Sequence, residues 1–463
     1  MLKSVVQACG LTLLLTGGLV VVSPAILAQS VYPSGVRPLR GQFNQVPMLQ
    51  SNQPEIVQSA GVLLSTMPGT VSPHPADQAP LGAIANPSYS FNGPFSLHLH
   101  HGYRPLDVSR FGGVRDRGQL FIGLIALNPT NQPIQLRFDS GQISTSFDSP
   151  YRTRDWGAQD NATGNIRSGP GDSTALALLR QRRDWRLPPT VIVPPMSQAL
   201  LFQVGIPARG TANVLARGES SGPLRLAVVA TEDDPSPDAF FSILQQGQLA
   251  AGRHYLHALD RISRRDLFSR VSGVARGDRY SAEVSATLDQ PLHLPLTTTW
   301  RKHFGTGELQ MNTLLVRMPD SALENVGTYG TEYTIRLKLA GRGEQLLMFS
   351  TPPEAGVGAT FRGTLRIDRD GRTDYVHVSQ RAGDSTPVYR FPVNGQETVT
   401  VSLVYPADAT PGHLLSVVPA DSPLAGHLFD SATASNLRSL APIGGIRMNW
   451  PRIQSPSSRD EEP

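Results

Sequence analysis

The chain has 463 residues, enough for two or three domains that each bury a core. Its 43 glycines, 39 prolines and only 17% charged residues argue against long amphipathic helices and favour many short strands joined by turns. The formal net charge of +4 is too small to predict binding to nucleic acid, and nearly all of the positive charge is arginine, since the only lysines are Lys3, Lys302 and Lys338.

Residues 1–28 have the pattern of a secretory signal peptide: a positive start at Lys3, an apolar run, and small residues at which cleavage after Ala28 or Ala25 is expected. The alternative, a retained membrane anchor, needs an apolar run of about 20 residues, longer than the one present. The only cysteine, Cys9, lies inside this segment. The mature chain is therefore predicted to be cysteine-free, to lack a transmembrane span, and to be exported to the periplasm, the cell envelope or the extracellular space.

An N-terminal β-rich domain is predicted over residues 29–232. The apolar run QLFIGLIAL at 119–127 is typical of a strand buried on both faces, and further strands are predicted at 62–65, 134–138, 191–193, 199–204, 214–215 and 224–230. A polar loop over 151–170 precedes a helix that we expect to begin after Asp172 or Ser173, either of which caps it, and to run to about Arg183.

Residues 233–270 are predicted to link two domains, because the stretch EDDPSPD at 232–238 is acidic and broken by proline. One or two short helices are expected within 240–268. A C-terminal β-sandwich domain is predicted over 271–453, followed by a disordered tail at 454–463.

The clearest strands of the chain lie between Thr360 and Tyr405, where apolar and polar residues alternate. Asp370-Gly371 between the first two strands predicts a tight hairpin turn, and a third strand follows from Glu397. The predicted fold class is all-β, mainly antiparallel and β-sandwich-like, in two domains with a few short helices.

Two short motifs are predicted to be turns. The string GESSG at 218–222 has the spacing of a serine hydrolase nucleophile, but Pro223 and a further strand follow it where a hydrolase needs a helix, so a hairpin turn is expected. The tripeptide Arg276-Gly277-Asp278, used by integrin ligands, is expected to be a polar turn opening the next strand.

His98 and His100 would share one face of a strand and are the candidate metal ligands, with His74 or Asp107 as a third. The alternative is that these histidines are simply hydrogen-bonded. No cofactor and no catalytic residues are predicted.

The densest basic patch contains Arg180, Arg182, Arg183 and Arg186 beside Trp185. Guanidinium groups bind carboxylates and phosphates well, so the patch suits acidic polysaccharide or lipid headgroups. The alternative is a solvated helix end where the cations complement the helix dipole.

Several short stretches occur in one order along the mature chain: RPL with GQ at 37–42, GVLLST at 61–66, GPGD at 169–172, LVR at 315–317, YGTEY at 329–333, FRGT at 361–364, YVH with QR at 375–381 and YPADATP at 405–411. Together they resemble an uncharacterised family of exported cyanobacterial proteins, a domain of unknown function. The resemblance implies export and a cyanobacterial host, and it implies no reaction or ligand.

The function that these observations favour is that of a non-enzymatic, exported protein of the periplasm or cell envelope that acts by surface contact with a polysaccharide or another envelope protein. The alternative is a carbohydrate-binding or carbohydrate-processing module that uses exposed aromatic residues. The candidate ligand-binding residues are Trp156, Trp185, Arg182, Arg183, Trp300 and Tyr329.

Overall fold

A computed structural model describes residues 35–113, 117–152, 155–353 and 360–425. The predicted signal peptide and C-terminal tail lie outside these residues. Strands far outnumber helices in the described ranges, and most paired strands are antiparallel, which confirms the predicted all-β, sandwich-like class. None of the helices described is long and apolar enough to cross a membrane.

The strands of the N-terminal half include the apolar run that was predicted to be a strand, now β8. They are β1 (Gly41–Phe43), β2 (Pro47–Ser51), β3 (Ile56–Val57), β4 (Gly61–Ser65), β5 (Thr70–Val71), β6 (Ile84–Ala85), β7 (Phe91–Tyr103), β8 (Gln119–Leu127), β9 (Ile134–Thr145), β10 (Gly157–Asp160), β11 (Thr190–Val193), β12 (Gln198–Pro207) and β13 (Thr211–Glu232). Helix α1 (Pro170–Leu179) lies between β10 and β11.

The C-terminal half starts with the short helices α2 (Pro237–Gln246) and α3 (Leu259–Ser263), in the region where short helices were expected. Its strands are β14 (Ser272–Arg276), β15 (Arg279–Thr287), β16 (Leu292–Leu296), β17 (Asn312–Arg317), β18 (Glu324–Asn325), β19 (Glu332–Ser350), β20 (Thr360–Arg369), β21 (Arg372–Arg381), β22 (Ser385–Val404) and β23 (His413–Pro419).

Strand β13 passes from one sheet to another around a shared apolar core. Its first half pairs with β7 and β9, and its second half pairs with β8 and β4. The change occurs at GESSG, where the register with β7 shifts between Ser220 and Leu224. The predicted hairpin turn is therefore wrong: the segment is a bulge within one strand, and the strands predicted at 214–215 and 224–230 are parts of β13. Glycine is required at 218, since a Cβ there would lie 2.3 Å from the carbonyl oxygen of Arg137.

In the C-terminal half, two long strands likewise pair with different partner strands along their lengths. Strands β19 and β22 pair with each other along their whole lengths. The first part of β19 lies beside β15, its last part lies beside β23, and the C-terminal part of β22 pairs with β20. Side chains from both parts of these strands, such as Phe349, Phe391 and Val401, pack into one core. The result is a second sandwich.

The hairpin predicted at Asp370-Gly371 is confirmed between β20 and β21. Both turn residues have positive φ, 50° and 73°, as a two-residue turn with the twist of a hairpin requires. The apolar residues that alternate along β20 were predicted to be buried, and Phe361, Leu365 and Ile367 are fully buried.

Strands exchange across the predicted domain boundary. Strand β1 pairs with β15 and β10 pairs with β21, while β14 pairs with β2. Each sandwich therefore includes strands from both sides of residue 232, and the boundary itself stays a prediction.

Helix α1 lies between the two sandwiches, in contact with β9 and β13 of the first and β20 and β22 of the second. All ten of its residues are buried. The predicted bounds are wrong at both ends. The helix begins at Pro170, after Gly169 with a φ of 92°, since proline fits the first helical position. It ends at Leu179 because Gln181 has positive φ, and the amides of Gln181 and Arg182 turn back to the carbonyls of Leu178 and Ala177.

Candidate functional site

The early end of α1 places the basic patch in a loop instead of on a helix. Residues 182–184 then dock against the backbone of Gly141: its amide donates to the Arg182 carbonyl (2.8 Å), and its carbonyl accepts from the Asp184 amide (2.9 Å). Gly141 has a φ of 139°, and a Cβ there would lie 2.3 Å from the carbonyl oxygen of Leu215. The close backbone approach at this glycine therefore positions the basic loop.

The loop forms one wall of an open groove of about 450 Å³, called here the arginine groove. Its floor includes Leu176 and Ala177 of α1, with Ser173 and Gln142 hydrogen-bonded to each other at 3.0 Å. The described lining residues also include Trp185 and five arginines, at 167, 180, 182, 183 and 186. Asp184 is the one acidic residue among them. The groove is strongly cationic, with apolar and neutral polar groups at its base.

Several of these arginines are held by the protein itself. Arg180 donates to the carbonyls of Asn161 and Ala162, both at 2.7 Å, and its guanidinium lies 4.0 Å from the centre of the Tyr375 ring. Arg183 donates to the Leu187 carbonyl (2.6 Å). These bonds fix the walls of the groove and leave other N–H groups of the same side chains for a ligand.

Among the described residues, the arginine that Asp184 pairs with is Arg186. Its carboxylate receives two hydrogen bonds from Arg186, at 3.2 and 2.8 Å. Burial acts to raise the pKa of Asp184, but the hydrogen bonds from Arg186 and from backbone amides outweigh it, so the pKa is below its usual value and the residue is charged at neutral pH.

Arg182 and Trp185 face the groove without a partner among the described residues. The Arg182 side chain is exposed and forms no hydrogen bond or ion pair with that part of the chain. Trp185 is 87% exposed, an unusual position for so large an apolar ring. The structure therefore brings together three of the predicted ligand-binding residues, Arg182, Arg183 and Trp185. Their role stays a prediction.

Trp156 lies in a second group, called here the aromatic–arginine ladder, with Tyr151, Arg362 and Arg381. The guanidinium of Arg381 lies 4.0 Å from the Trp156 ring centre and that of Arg362 lies 5.1 Å from it. Arg362 also lies 6.0 Å from the ring of Tyr151. The other three members were missed in the sequence because the pairing of β10 with β21, which brings Trp156 to Arg381, had no local signal.

A buried polar cluster, also missed, lies at the N-terminal end of α1. Asp172 and His377 of β21 are each 1% exposed and lie 3.3 Å apart, Oδ2 to Nδ1. Burial, with the nearby Asp408, raises the pKa of Asp172 to about 7. Burial, with Arg152 and Arg362, lowers the pKa of His377 to about 4. Tyr151 donates to Asp408 at 3.0 Å, so this cluster contacts the ladder.

His98 and His100 share a strand face as predicted, and both are buried. The rings are nearly parallel, with centres 6.4 Å apart. Nδ1 of His98 donates to Gln50 (2.7 Å) and Nδ1 of His100 donates to Asn213 (3.1 Å).

The proposed third metal ligands have other contacts. His74 accepts the amide of Ala76 and Asp107 accepts that of Ser109. In the described ranges no three His, Cys, Asp or Glu side chains are grouped to hold a metal ion. Metal binding by His98 and His100 stays a prediction without a third ligand.

Trp300 and Tyr329, the remaining candidates, are in neither the groove nor the ladder. Trp300 packs against Phe268, with ring centres 6.0 Å apart, and under Arg265. Tyr329 packs against the second core and donates to the Ala409 carbonyl at 3.0 Å; burial raises its pKa to about 12.

Arg276-Gly277-Asp278 forms the predicted turn between β14 and β15, with Gly277 at a φ of 90°. Asp278 is buried and pairs with Arg217 at 2.6 Å, so it is part of the core and not an exposed ligand.

The described residues define a class of protein: two β-sandwiches joined by a buried helix, with an arginine-lined groove at the end of that helix. The family model described as "Protein of unknown function (DUF3370)" matches residues 34–419, so the chain belongs to this family. This confirms the family resemblance seen in the sequence, while the cyanobacterial host stays a prediction. No curated protein matches the chain.

Solved structures with some similarity include a Paenibacillus xanthan lyase, at 10% identity over 77% of this chain and 25% of that chain, with a TM-score of 0.14. The CBM22-1-CBM22-2 tandem domain of Paenibacillus barcinonensis Xyn10C has 10% identity over 79% of this chain and 99% of that chain, with a TM-score of 0.14. The M60 catalytic domain with CBM51-1 and CBM51-2 of Clostridium perfringens ZmpB has 8% identity over 82% of this chain and 39% of that chain, with a TM-score of 0.15. Scores this low carry no conclusion about fold or function.

Proposed function

We propose that this protein is an exported, non-enzymatic binding protein of the cell envelope and that its arginine groove binds acidic polysaccharide. The observation that carries the proposal is the groove itself, in which five arginines and one acidic residue surround an exposed tryptophan. A groove whose arginines outnumber its carboxylates five to one among the described lining residues calls for an anionic ligand.

The chemistry of the groove suits a sugar carboxylate. A guanidinium binds a carboxylate through two parallel hydrogen bonds, and Arg182 has its donors available among the described contacts. Gln142 offers a neutral hydrogen-bonding group for a hydroxyl, and the flat face of Trp185 offers apolar area at the rim. An acidic sugar combines a carboxylate, hydroxyls and an apolar ring face, and so complements all three features in one unit.

The test is direct binding of the mature protein to polygalacturonate, with dextran as the neutral polymer. Binding to polygalacturonate alone, weakened as salt rises, is expected. Arg182→Gln should weaken it by about tenfold through one lost charge-assisted contact, and Trp185→Ala by about tenfold through lost apolar contact area. Arg342→Gln is the matched control, since Arg342 is an exposed arginine outside the groove.

Equal binding of dextran, or insensitivity to Arg182→Gln, would overturn the proposed function. Binding of anionic vesicles in place of polygalacturonate would instead assign the groove to lipid headgroups.

Export to the envelope is tested by fractionating cells that make the native protein. We expect the mature protein, cleaved after residue 25 or 28, in the periplasmic or envelope fraction. A cytoplasmic protein that retains residues 1–28 would contradict this part of the proposal.

A further inference from the structure

We propose that the arginine groove is one end of a longer binding face and that the aromatic–arginine ladder is the other, so that the ligand is a polyanionic sugar chain and not a single acidic sugar. This inference rests on the proposed function and specifies its ligand.

The ladder is built to receive an anion at Arg381. The guanidinium of Arg381 lies 4.0 Å from the Trp156 ring centre, and the side chain is exposed. Stacking of this kind uses the face of the guanidinium and leaves its N–H edge for a carboxylate. No hydrogen bond or ion pair to another described residue occupies that edge, whereas Arg362, one step deeper in the ladder, donates to Thr360 at 3.3 Å. The ladder thus repeats the combination of aromatic ring and available arginine found in the groove.

The two sites lie at opposite ends of α1. Arg180, Arg182 and Arg183 follow its C-terminal end, and Tyr151 and Asp408 lie against Gly169 and Gly171 at its N-terminal end. The helix has ten residues and is about 15 Å long, which is more than one sugar residue can span.

A segment that is exposed at residues 162, 163 and 165 joins the two ends. Residues 161–168 run from Arg180, which donates to the carbonyls of Asn161 and Ala162, to Ser168, whose hydroxyl accepts the Arg152 amide at 2.9 Å. Arg167 lies within this segment and also lines the groove. A chain that leaves the groove along this segment therefore passes Arg167, the groove arginine that lies on the way to the ladder.

The acidic residues near this path have intramolecular partners. Asp155 pairs with Arg152 at 3.2 Å, Asp160 accepts the amide of Ala162 at 3.3 Å, and Asp408 accepts the Tyr151 hydroxyl. Asp384 accepts the backbone amide of Arg381 at 2.8 Å. None of these contacts uses the side chain of Arg182 or Arg381, the two arginines assigned to the ends of the ligand.

The experiment compares the galacturonate monomer with polygalacturonate on the mature full-length protein. Two linked contacts raise the affinity for a ligand long enough to make both, so polygalacturonate should bind more tightly per site than the monomer. We expect Arg381→Gln and Trp156→Ala to weaken polygalacturonate binding by about tenfold and to leave binding of the monomer in the groove unchanged. Arg182→Gln should weaken both, and Arg342→Gln neither.

The outcomes separate the two proposals. If Arg381→Gln leaves polygalacturonate binding unchanged while Arg182→Gln weakens it, the extended face is overturned and the groove stands. If Arg182→Gln changes neither ligand, the proposed function is overturned as well. Arg381→Gln replaces an exposed side chain, so it keeps the test valid even if Trp156→Ala does not fold.

Discussion

Arg253 is completely buried, and its surroundings explain how a cation is tolerated there. It donates to both oxygens of Asp320, each at 2.9 Å, and to the carbonyls of Gln53 (3.0 Å) and Leu63 (2.8 Å). Asp320 is also fully buried. Each charge therefore depends on the other, because a buried ion without its partner costs several kcal/mol.

We expect Arg253→Met to lower the free energy of unfolding by about 3–5 kcal/mol, since it leaves the Asp320 carboxylate unpaired. Removing both charges in Arg253→Met/Asp320→Leu should recover much of that loss. Urea unfolding followed by circular dichroism measures both, with Arg342→Gln expected within about 0.5 kcal/mol of the parent. A change of similar size in the single and double variants would argue against this account.

Five of the six histidines buried among the described residues predict loss of stability in acid. Burial lowers the pKa of His98, His101 and His413 to about 3, and that of His293 and His377 to about 4. The unfolded chain binds these protons near pH 6.5 and the folded chain does not, so the free energy of unfolding should fall as the pH drops from about 6.5 to about 4.

Asp172 opposes this trend over the same range, because its raised pKa makes the folded state bind a proton that the unfolded state lacks. The remaining slope should still exceed the roughly 1.4 kcal/mol per pH unit that one histidine gives. Urea unfolding across this pH range measures the slope, and His413→Asn should reduce it by about one histidine's share. A slope of zero would refute the prediction.

At the scale of single elements, local chemistry in the sequence predicts only what local contacts decide. Asp370-Gly371 gives the hairpin because both residues accept positive φ without help from the rest of the fold. GESSG has the same turn-like composition, yet it forms a bulge because β13 pairs on both sides of it with strands distant in sequence. The end of α1 was missed for a related reason, since Gln181 takes the left-handed conformation usually left to glycine.

A substitution at Gly141 tests whether this residue positions the basic loop. We expect Gly141→Ala to lower the free energy of unfolding by about 3 kcal/mol, since the residue has a φ of 139° and its Cβ would meet the Leu215 carbonyl. It should also weaken polygalacturonate binding, because residues 182–184 dock on this backbone. Gly82→Ala is the control, as no atom lies within 4 Å of its Cβ position. Equal stability of the two variants would show that the loop does not depend on this contact.

At the scale of the whole molecule, the sequence predicted two sandwiches but not their dependence on each other. Alternation of apolar residues reveals which face of a strand is buried, and it does not reveal the partner strand. The exchange of β1, β10 and β14 between the sandwiches therefore had no signal, and neither had the meeting of Trp156 with Arg381. The basic patch at one wall of the groove was easier to predict because four of its arginines and Trp185 are neighbours in sequence, whereas Arg167 and Gln142 are brought to it by the fold.

This exchange predicts that the N-terminal half does not fold by itself. A fragment of residues 29–232 would expose the face of α1 that packs on β20 and β22, and it would leave β2 without β14 and β10 without β21.

We expect such a fragment to lack a cooperative unfolding transition by circular dichroism and to be digested rapidly by protease. The control is the full chain with a protease site inserted in the linker at 233–236, whose two halves should stay associated after cleavage. Cooperative unfolding of the isolated fragment would instead support an independent N-terminal domain that ends at residue 232.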